Sequence, residues 1–75
     1  GYTTATFSGN GITIAGSLST FKLGTITLSD VTLNGTSVSE TGTVTLSMAG
    51  NGNYIANLDI TIGENTYKAN VEFSL

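Results

Sequence analysis

Two stretches near the end of the chain decide the fold: YIANLDITI, residues 54–62, and YKANVEF, residues 67–73. In both stretches every second residue is apolar, and polar or charged residues fill most of the positions between. An alternation with a period of two is typical of a β-strand with one face in a core and the other in water. Two such runs separated by a short gap predict a hairpin of an antiparallel sheet.

The same alternation extends over the rest of the chain. It is present at Ala5 and Phe7, at Ile12 and Ile14, and in VTLSM, residues 44–48. Thr, Ile, Val, Tyr and Phe make up 30 of the 75 residues, a composition that favours strands. We therefore expect a single all-β domain over residues 1–75. Six to eight short antiparallel strands in hairpin succession would form a small β-barrel or a two-layer β-sandwich.

Three Asn-Gly pairs indicate where the chain turns. Residues 10–11 and 34–35 suit two-residue type I′ turns, in which both residues take a positive φ. Residues 51–52 suit a three-residue loop over 50–52 with Gly52 in the left-handed conformation, because a two-residue loop would place Leu46 opposite the polar Asn57. These turns predict five cross-strand pairs: Phe7 with Ile14, Val31 with Val38, Met48 with Tyr54, Leu46 with Ala56, and Val44 with Leu58.

The last hairpin offers a longer connection. We expect a four-residue loop over residues 63–66, which would place Ile62 opposite Tyr67 and leave Asp59 diagonal to Lys68 on the outer face. The same register pairs further inner residues: Ile60 with Ala69, Leu58 with Val71, and Ala56 with Phe73.

One change of parity interrupts the middle of the chain. Ile26 and Leu28 occupy even positions, whereas Val31 and Leu33 occupy odd ones. One extra residue near Ser29 and Asp30 would keep all four side chains on one face, so the pattern predicts a β-bulge or a sharp bend there. Glycines within strand-like surroundings predict further bends or barrel corners at Gly16, Gly24 and Gly42.

The composition excludes several classes of function. The chain has no Cys and no His, so it lacks a disulfide framework, a thiolate metal site and an imidazole base or ligand. A net charge of −3 with only two cations argues against binding to a nucleic-acid backbone. No apolar run approaches the roughly 20 residues of a membrane-spanning helix. The Thr-, Ser-, Asn- and Gly-rich, Lys-poor composition indicates an extracytoplasmic protein.

Residues 21–33, FKLGTITLSDVTL, resemble the middle of the calycin-like β-barrel domains of secreted and lipid-anchored Bacteroidetes proteins. In those domains an aromatic residue precedes a Leu/Ile-Gly step, an Ile-x-Leu strand and an Asn- or Asp-Val step. The alternating runs over residues 54–60 and 67–73 are similar to the closing strands of that family, so the resemblance covers roughly residues 21–75. It implies a lipocalin-like barrel whose first strands are missing or shortened here. The family supplies no motif of catalytic residues.

No residue pattern supports an enzyme. Ser19 and Lys22 match the S-x-x-K spacing of serine acyl enzymes, but that chemistry needs both side chains one turn apart on a helix. Asp59 and Glu72 are expected on the solvated outer face rather than as a catalytic carboxylate pair. We therefore expect no catalytic residue, no metal site and no cofactor.

The inner face leaves two function classes open. It could line a cavity for a small apolar ligand, or the module could have a structural or interaction role in a cell-surface protein. The candidate cavity-lining residues are Phe7, Ile14, Phe21, Leu46, Met48, Tyr54, Leu58, Tyr67 and Phe73.

The length of the chain predicts self-association. A chain of this size buries only about 60% of its unfolded surface, and no disulfide compensates for that. The final strand has no Pro, and only Lys68 and Glu72 place charges along it. Strand edges with so little protection readily pair with another strand. We expect a homodimer formed through edge strands.

Overall fold

A computed structural model describes residues 3–74, which form seven strands and no helix. The strands are β1 (Thr3–Gly9), β2 (Ile12–Leu18), β3 (Gly24–Leu33), β4 (Thr36–Ser37), β5 (Gly42–Met48), β6 (Tyr54–Ile62) and β7 (Asn65–Phe73). All pairings are antiparallel, and the sheet order is β1-β2-β3-β5-β6-β7, with the short β4 beside the end of β3. The sheet curls into a nearly closed barrel, which confirms the all-β prediction and selects the barrel over the sandwich.

Both predicted type I′ turns are present. Asn10 and Gly11 have φ values of 52° and 77°, and Asn34 and Gly35 have φ values of 51° and 84°. A right-handed strand twist favours this turn type, which requires positive φ at both central residues. The predicted pairs follow from it: Phe7 lies opposite Ile14, and the Val38 N–H donates to the Val31 carbonyl oxygen at 2.9 Å.

The third Asn-Gly pair lies in the predicted three-residue loop. Gly52 takes a φ of 89°, and the Ala49 N–H donates to the Asn53 carbonyl oxygen at 2.8 Å, which closes the loop over residues 50–52. Three further predicted pairs are confirmed in the β5–β6 ladder: Met48 with Tyr54, Leu46 with Ala56, and Val44 with Leu58.

The predicted register of the last hairpin is wrong by two residues. The loop consists of residues 63–64 alone, and Ile62 lies opposite Asn65. Gly63 has a φ of 63°, the conformation that a type II′ turn requires at its first central residue. A shift by two residues keeps every side chain on its face, so the alternation could not exclude it. The inner pairs are therefore Ile60 with Tyr67, Leu58 with Ala69, Ala56 with Val71, and Tyr54 with Phe73.

The predicted β-bulge lies at Asp30. Ala15 pairs with Thr32 and Ser17 pairs with Ser29, so β3 carries one more residue than β2 between these pairs. Asp30 takes a φ of 51°, which places it in the left-handed region. The bulge divides β3 into two parts: residues 24–28 pair with β5, and residues 32–33 pair with β4. On its other edge β3 pairs with β2 both before the bulge, at residues 28–29, and after it, at residues 32–33.

Gly16 lies opposite this bulge and is packed too closely for any side chain. A Cβ built at Gly16 would stand 2.7 Å from Cγ of Leu28 and 2.8 Å from the Ser29 carbonyl oxygen. Leu28 has no exposed surface and occupies the space that a side chain at Gly16 would need. Gly42 makes a similar approach, with its built Cβ 3.0 Å from Cβ of Ile60.

The core consists of apolar side chains from β1, β2, β3, β5 and β6. Within residues 3–74 no polar or charged side chain is buried, and no helix has the length and apolar character needed to cross a membrane. The buried side chains are Phe7, Ile14, Leu18, Ile26, Leu28, Val31, Val44, Leu46, Ala56, Leu58 and Ile60.

Replacing Gly16 with Ala should destabilise the barrel by about 1–3 kcal/mol, because the added methyl group overlaps Leu28 and the Ser29 carbonyl. Urea denaturation followed by far-ultraviolet circular dichroism measures the change. Gly9→Ala is the matched control, since a Cβ at Gly9 meets no atom within 4 Å and should change stability by less than about 0.5 kcal/mol. Equal effects of the two substitutions would contradict this account of the bulge.

Candidate functional site

The barrel stays open between its first and last strands. Among the described strands β1 pairs only with β2, and β7 pairs only with β6, although the two outer strands approach each other. We call this gap the seam. Inward-facing side chains of β7 border it, and among them Val71 remains 38% exposed although its position in the alternation is that of a core residue. The seam is therefore the place where the apolar interior can be reached from outside.

A pocket of about 260 Å³ opens at the seam, at the end of the barrel where β1 begins and β7 ends. Residues 3–7 of β1 line it together with Val71 and Phe73 of β7. Core residues, among them Leu18, Leu46 and Ala56, also line it. Most of the lining is apolar, and the polar part comes from threonines at the start of β1. We call this cavity the seam pocket.

Three aromatic rings cluster at the same end of the barrel. Phe21, from the connection between β2 and β3, packs edge-on against Tyr54 at 5.7 Å and against Phe73 at 6.2 Å between ring centroids. Tyr54 and Phe73 stack with their centroids 5.8 Å apart. Such geometries are favourable between aromatic rings. Phe21 and Phe73 both line the seam pocket, so the aromatic cluster is continuous with that pocket.

Apolar side chains around this cluster are unusually exposed. Leu23 is 55% exposed, Met48 is 49% exposed and Phe21 is 37% exposed. These residues lie in or next to the connections at the end of the barrel that carries the seam pocket. Exposed apolar surface of this kind commonly marks a binding site, and Phe21 connects it to the seam pocket.

A second opening lies further along the seam. It has a volume of about 430 Å³ and is lined by Phe7, Ile14, Leu58 and Tyr67, together with polar residues that include Lys68. Its lining contains more polar surface than that of the seam pocket and is therefore less typical of a site for an apolar ligand.

The structure distributes the nine predicted cavity residues over these features. The seam pocket brings together Phe7, Phe21, Leu46 and Phe73, while Ile14, Leu58 and Tyr67 line the second opening with Phe7. Tyr54 belongs to the aromatic cluster, and Met48 is exposed and lines neither opening. Sequence reasoning missed five further apolar residues of the seam pocket, although their alternation with polar residues assigns most of them to the inner face: Ala5, Leu18, Val44, Ala56 and Val71.

The outer face is polar and joined by side-chain hydrogen bonds. The Thr25 and Thr45 hydroxyls lie 3.2 Å apart, and those of Thr61 and Thr66 lie 3.0 Å apart. Lys68 lies directly opposite Asp59, not diagonal to it as predicted, with Nζ 3.7 Å from Oδ2. Exposed pairs of this kind contribute little to stability.

Neither candidate catalytic pattern is assembled. Ser19 and Lys22 lie in the irregular connection between β2 and β3, and not on a helix. Asp59 and Glu72 lie on the outer face, with Asp59 opposite Lys68 and Glu72 opposite Ile55. Within residues 3–74 no three acidic side chains come together as they would in a metal site.

Glu72 is held by two asparagines of the β5–β6 connection. The Asn53 and Asn51 side-chain amides each donate a hydrogen bond to Oε2 of Glu72 at 3.0 Å. Both bonds favour the ionised carboxylate, and they lower the pKa of Glu72 from its usual value. The contact ties the end of β7 to the loop beneath the aromatic cluster.

Comparison with known proteins gives no match for this chain: no family model, no curated protein and no solved structure matches it.

Glu72 should make stability sensitive to acid. Because its folded pKa is lowered, its contribution is present above the unfolded value near 4.5 and is lost as the pH falls through the folded pKa. Glu72→Gln should remove this part of the pH dependence, which urea denaturation measures on either side of that unfolded value. In the wild-type background Asn53→Ala should raise the pKa of Glu72, which side-chain carboxyl NMR can follow. An unchanged titration in Asn53→Ala would contradict the assignment.

Proposed function

We propose that this chain is a non-enzymatic, calycin-like β-barrel module that holds a small apolar ligand in the seam pocket. One observation carries the proposal: a nearly closed sheet encloses an apolar pocket, and that pocket opens at the seam beside exposed apolar side chains. Small-molecule sites are typically concave, largely apolar and preformed, with a few polar groups at fixed positions. Threonines of β1 supply such polar groups here.

The size of the pocket limits the ligand. Its volume of about 260 Å³ lies just below the range of about 300–1,000 Å³ for drug-sized ligands. A single ring system or a short stretch of acyl chain fits this volume, with the remainder of the ligand lying along Phe21 and Leu23 outside. A polar head group at the far end would remain in water, because no charged side chain among the described residues lines the pocket.

We propose that the module lies outside the cytoplasm, as a periplasmic, outer-membrane-anchored or secreted protein. Support comes from the Thr-, Ser-, Asn- and Gly-rich composition and from the resemblance of residues 21–75 to calycin-like domains. The non-enzymatic part rests on the sequence, which contains neither His nor Cys to serve as base, nucleophile or ligand.

A pocket-filling substitution tests ligand binding. Ala5 lines the seam pocket and is half-buried, so Ala5→Leu should fill part of the cavity and weaken binding of a fluorescent fatty-acid probe by about tenfold or more. Ala15 lies on the outer face of the neighbouring strand β2, and Ala15→Leu is the matched control that should bind as the wild type does. No saturable binding to the wild type, or equal binding to both variants, would reject the seam pocket as the site.

The unpaired edges of the sheet favour a second candidate, an interaction module. Within residues 3–74, β1 and β7 each leave one edge without a strand partner, and such edges are templates for association. On this proposal the chain forms a homodimer through edge strands. The mass in solution should then exceed 7.7 kDa, and the melting temperature should rise with protein concentration. If light scattering gives a mass of 7.7 kDa at every concentration measured, the homodimer is contradicted.

A further inference from the structure

The backbone of β7 presents a regular row of free groups to the seam. A two-residue turn closes on a hydrogen-bonded pair, here Ile62 and Asn65, and hydrogen-bonded pairs then recur at every second residue. The odd-numbered residues of β7 therefore bond to β6. The N–H and C=O groups of the even-numbered residues point into the seam, where no other strand of residues 3–74 pairs with them. The even-numbered residues are Thr66, Lys68, Asn70 and Glu72.

The side chains of the same residues carry a symmetric charge pattern. Lys68 and Glu72 lie two residues on either side of Asn70, and both are exposed on the outer face. An antiparallel strand pair with a two-fold axis at Asn70 places residues 68 and 72 of the two copies opposite each other. The edge of β7 is thus complementary in charge to itself.

We propose that β7 pairs antiparallel with β7 of a second copy across a two-fold axis at Asn70. Lys68 then lies opposite Glu72 of the partner subunit, and Glu72 lies opposite the partner's Lys68. This inference specifies the edge and the register of the proposed homodimer, and it does not depend on the apolar ligand. A two-fold interface repeats each contact, so one complementary pair supplies two.

Other registers of the same edge are less favourable. A shift by two residues pairs Lys68 with the partner's Asn70 or with the partner's Ser74, and neither pair joins opposite charges. A shift by four places Lys68 opposite the partner's Lys68 or Glu72 opposite the partner's Glu72, and like charges directly opposite are destabilising. Charge therefore selects the register centred on Asn70.

The inner face of β7 gains from the same register. Val71, which is 38% exposed, comes opposite the partner's Ala69, and Tyr67 comes opposite the partner's Phe73. The apolar side chains at the seam are thus covered by apolar side chains of the partner's strand. The incoming strand occupies the gap beside β1, so the hairpin formed by β1 and β2 moves outward where the two edges are closest.

The existing contacts of both charged residues leave room for the partner. Both asparagine bonds to Glu72 end on Oε2, so Oε1 remains available to a cation. The side chain of Lys68 is 73% exposed, and its separation of 3.7 Å from Asp59 leaves it free to reach a second carboxylate.

Charge reversal tests the register. Lys68→Glu and Glu72→Lys should each weaken self-association about tenfold or more, because two attractive pairs become two repulsive ones. An equimolar mixture of the two variants should associate as the wild type does. In the mixed dimer one subunit carries a carboxylate at both positions and the other carries an ammonium group at both, so both pairs are attractive again.

Native mass spectrometry with one of the two variants ¹⁵N-labelled identifies this heterodimer by its mass. Wild-type association that survives both single reversals, or a mixture that stays monomeric, would overturn the register.

A proline substitution tests the edge. Asn70→Pro removes an N–H that faces the seam but leaves the β6–β7 bonds in place, as edge strands allow. It should abolish self-association while a cooperative β-sheet melt persists in circular dichroism. Asn70→Ala, which loses the same side chain and keeps the N–H, should still associate. Association of Asn70→Pro at wild-type strength would overturn the use of β7.

Failure of the β7 pairing can be distinguished from failure of the ligand proposal. Probe binding is measured on the Lys68→Glu variant at a concentration at which it is monomeric, and its substitution lies outside the seam pocket. Loss of association with retained probe binding leaves the ligand proposal intact. A wild type that remains monomeric at millimolar concentration overturns the β7 pairing whatever the probe shows.

Discussion

The close packing of Leu28 into the space above Gly16, opposite the bulge at Asp30, is the constraint on which the barrel depends. The extra residue at Asp30 shifts the parity of β3, so apolar residues on both sides of it face the same interior. It also bends β3. Residues 24–28 pair with β5 and residues 32–33 pair with β4, while β2 pairs with β3 on both sides of the bulge. A β-bulge increases local twist, and that twist curls a six-strand path toward closure.

The curvature brings β1 near β7 without pairing them, and the consequence is visible in the exposure of β7. β6 and β7 have the same alternation, yet Ala56, Leu58 and Ile60 are buried whereas Val71 is exposed. β6 has a strand on either side, and β7 has one only on one side within the described part of the chain. Sequence pattern sets the face of a side chain, and the number of neighbouring strands sets its burial. One structural feature, the seam, therefore supplies both the pocket and the free edge.

Local chemistry made most of the fold predictable. The type I′ turns and the three-residue loop could be predicted from the Asn-Gly pairs, because Asn and Gly adopt a positive φ more readily than other residues. The last register failed because loops over residues 63–66 and over residues 63–64 keep the same parity. The overlooked signal was Gly63 at the first central position of a two-residue turn, the place where type II′ requires glycine. The site was less predictable, because its parts come from elements that are distant in sequence. Phe21 belongs to an irregular connection, so no periodicity indicates that it packs on Tyr54 and Phe73.

The two proposals draw on the same strand and are therefore linked. Val71 and Phe73 line the seam pocket, and in the proposed dimer the same side chains meet the partner's β7. A ligand that enters the pocket only while the seam is open would weaken the pairing of β7 with the partner's β7. A ligand that the second copy covers would strengthen that pairing. By thermodynamic reciprocity, pairing changes the affinity for the ligand by the same factor. The sign of that coupling depends on how far the hairpin of β1 and β2 must move. In the proposed dimer that movement would admit the partner strand and would also widen the pocket mouth, because β1 lines the pocket and borders the seam.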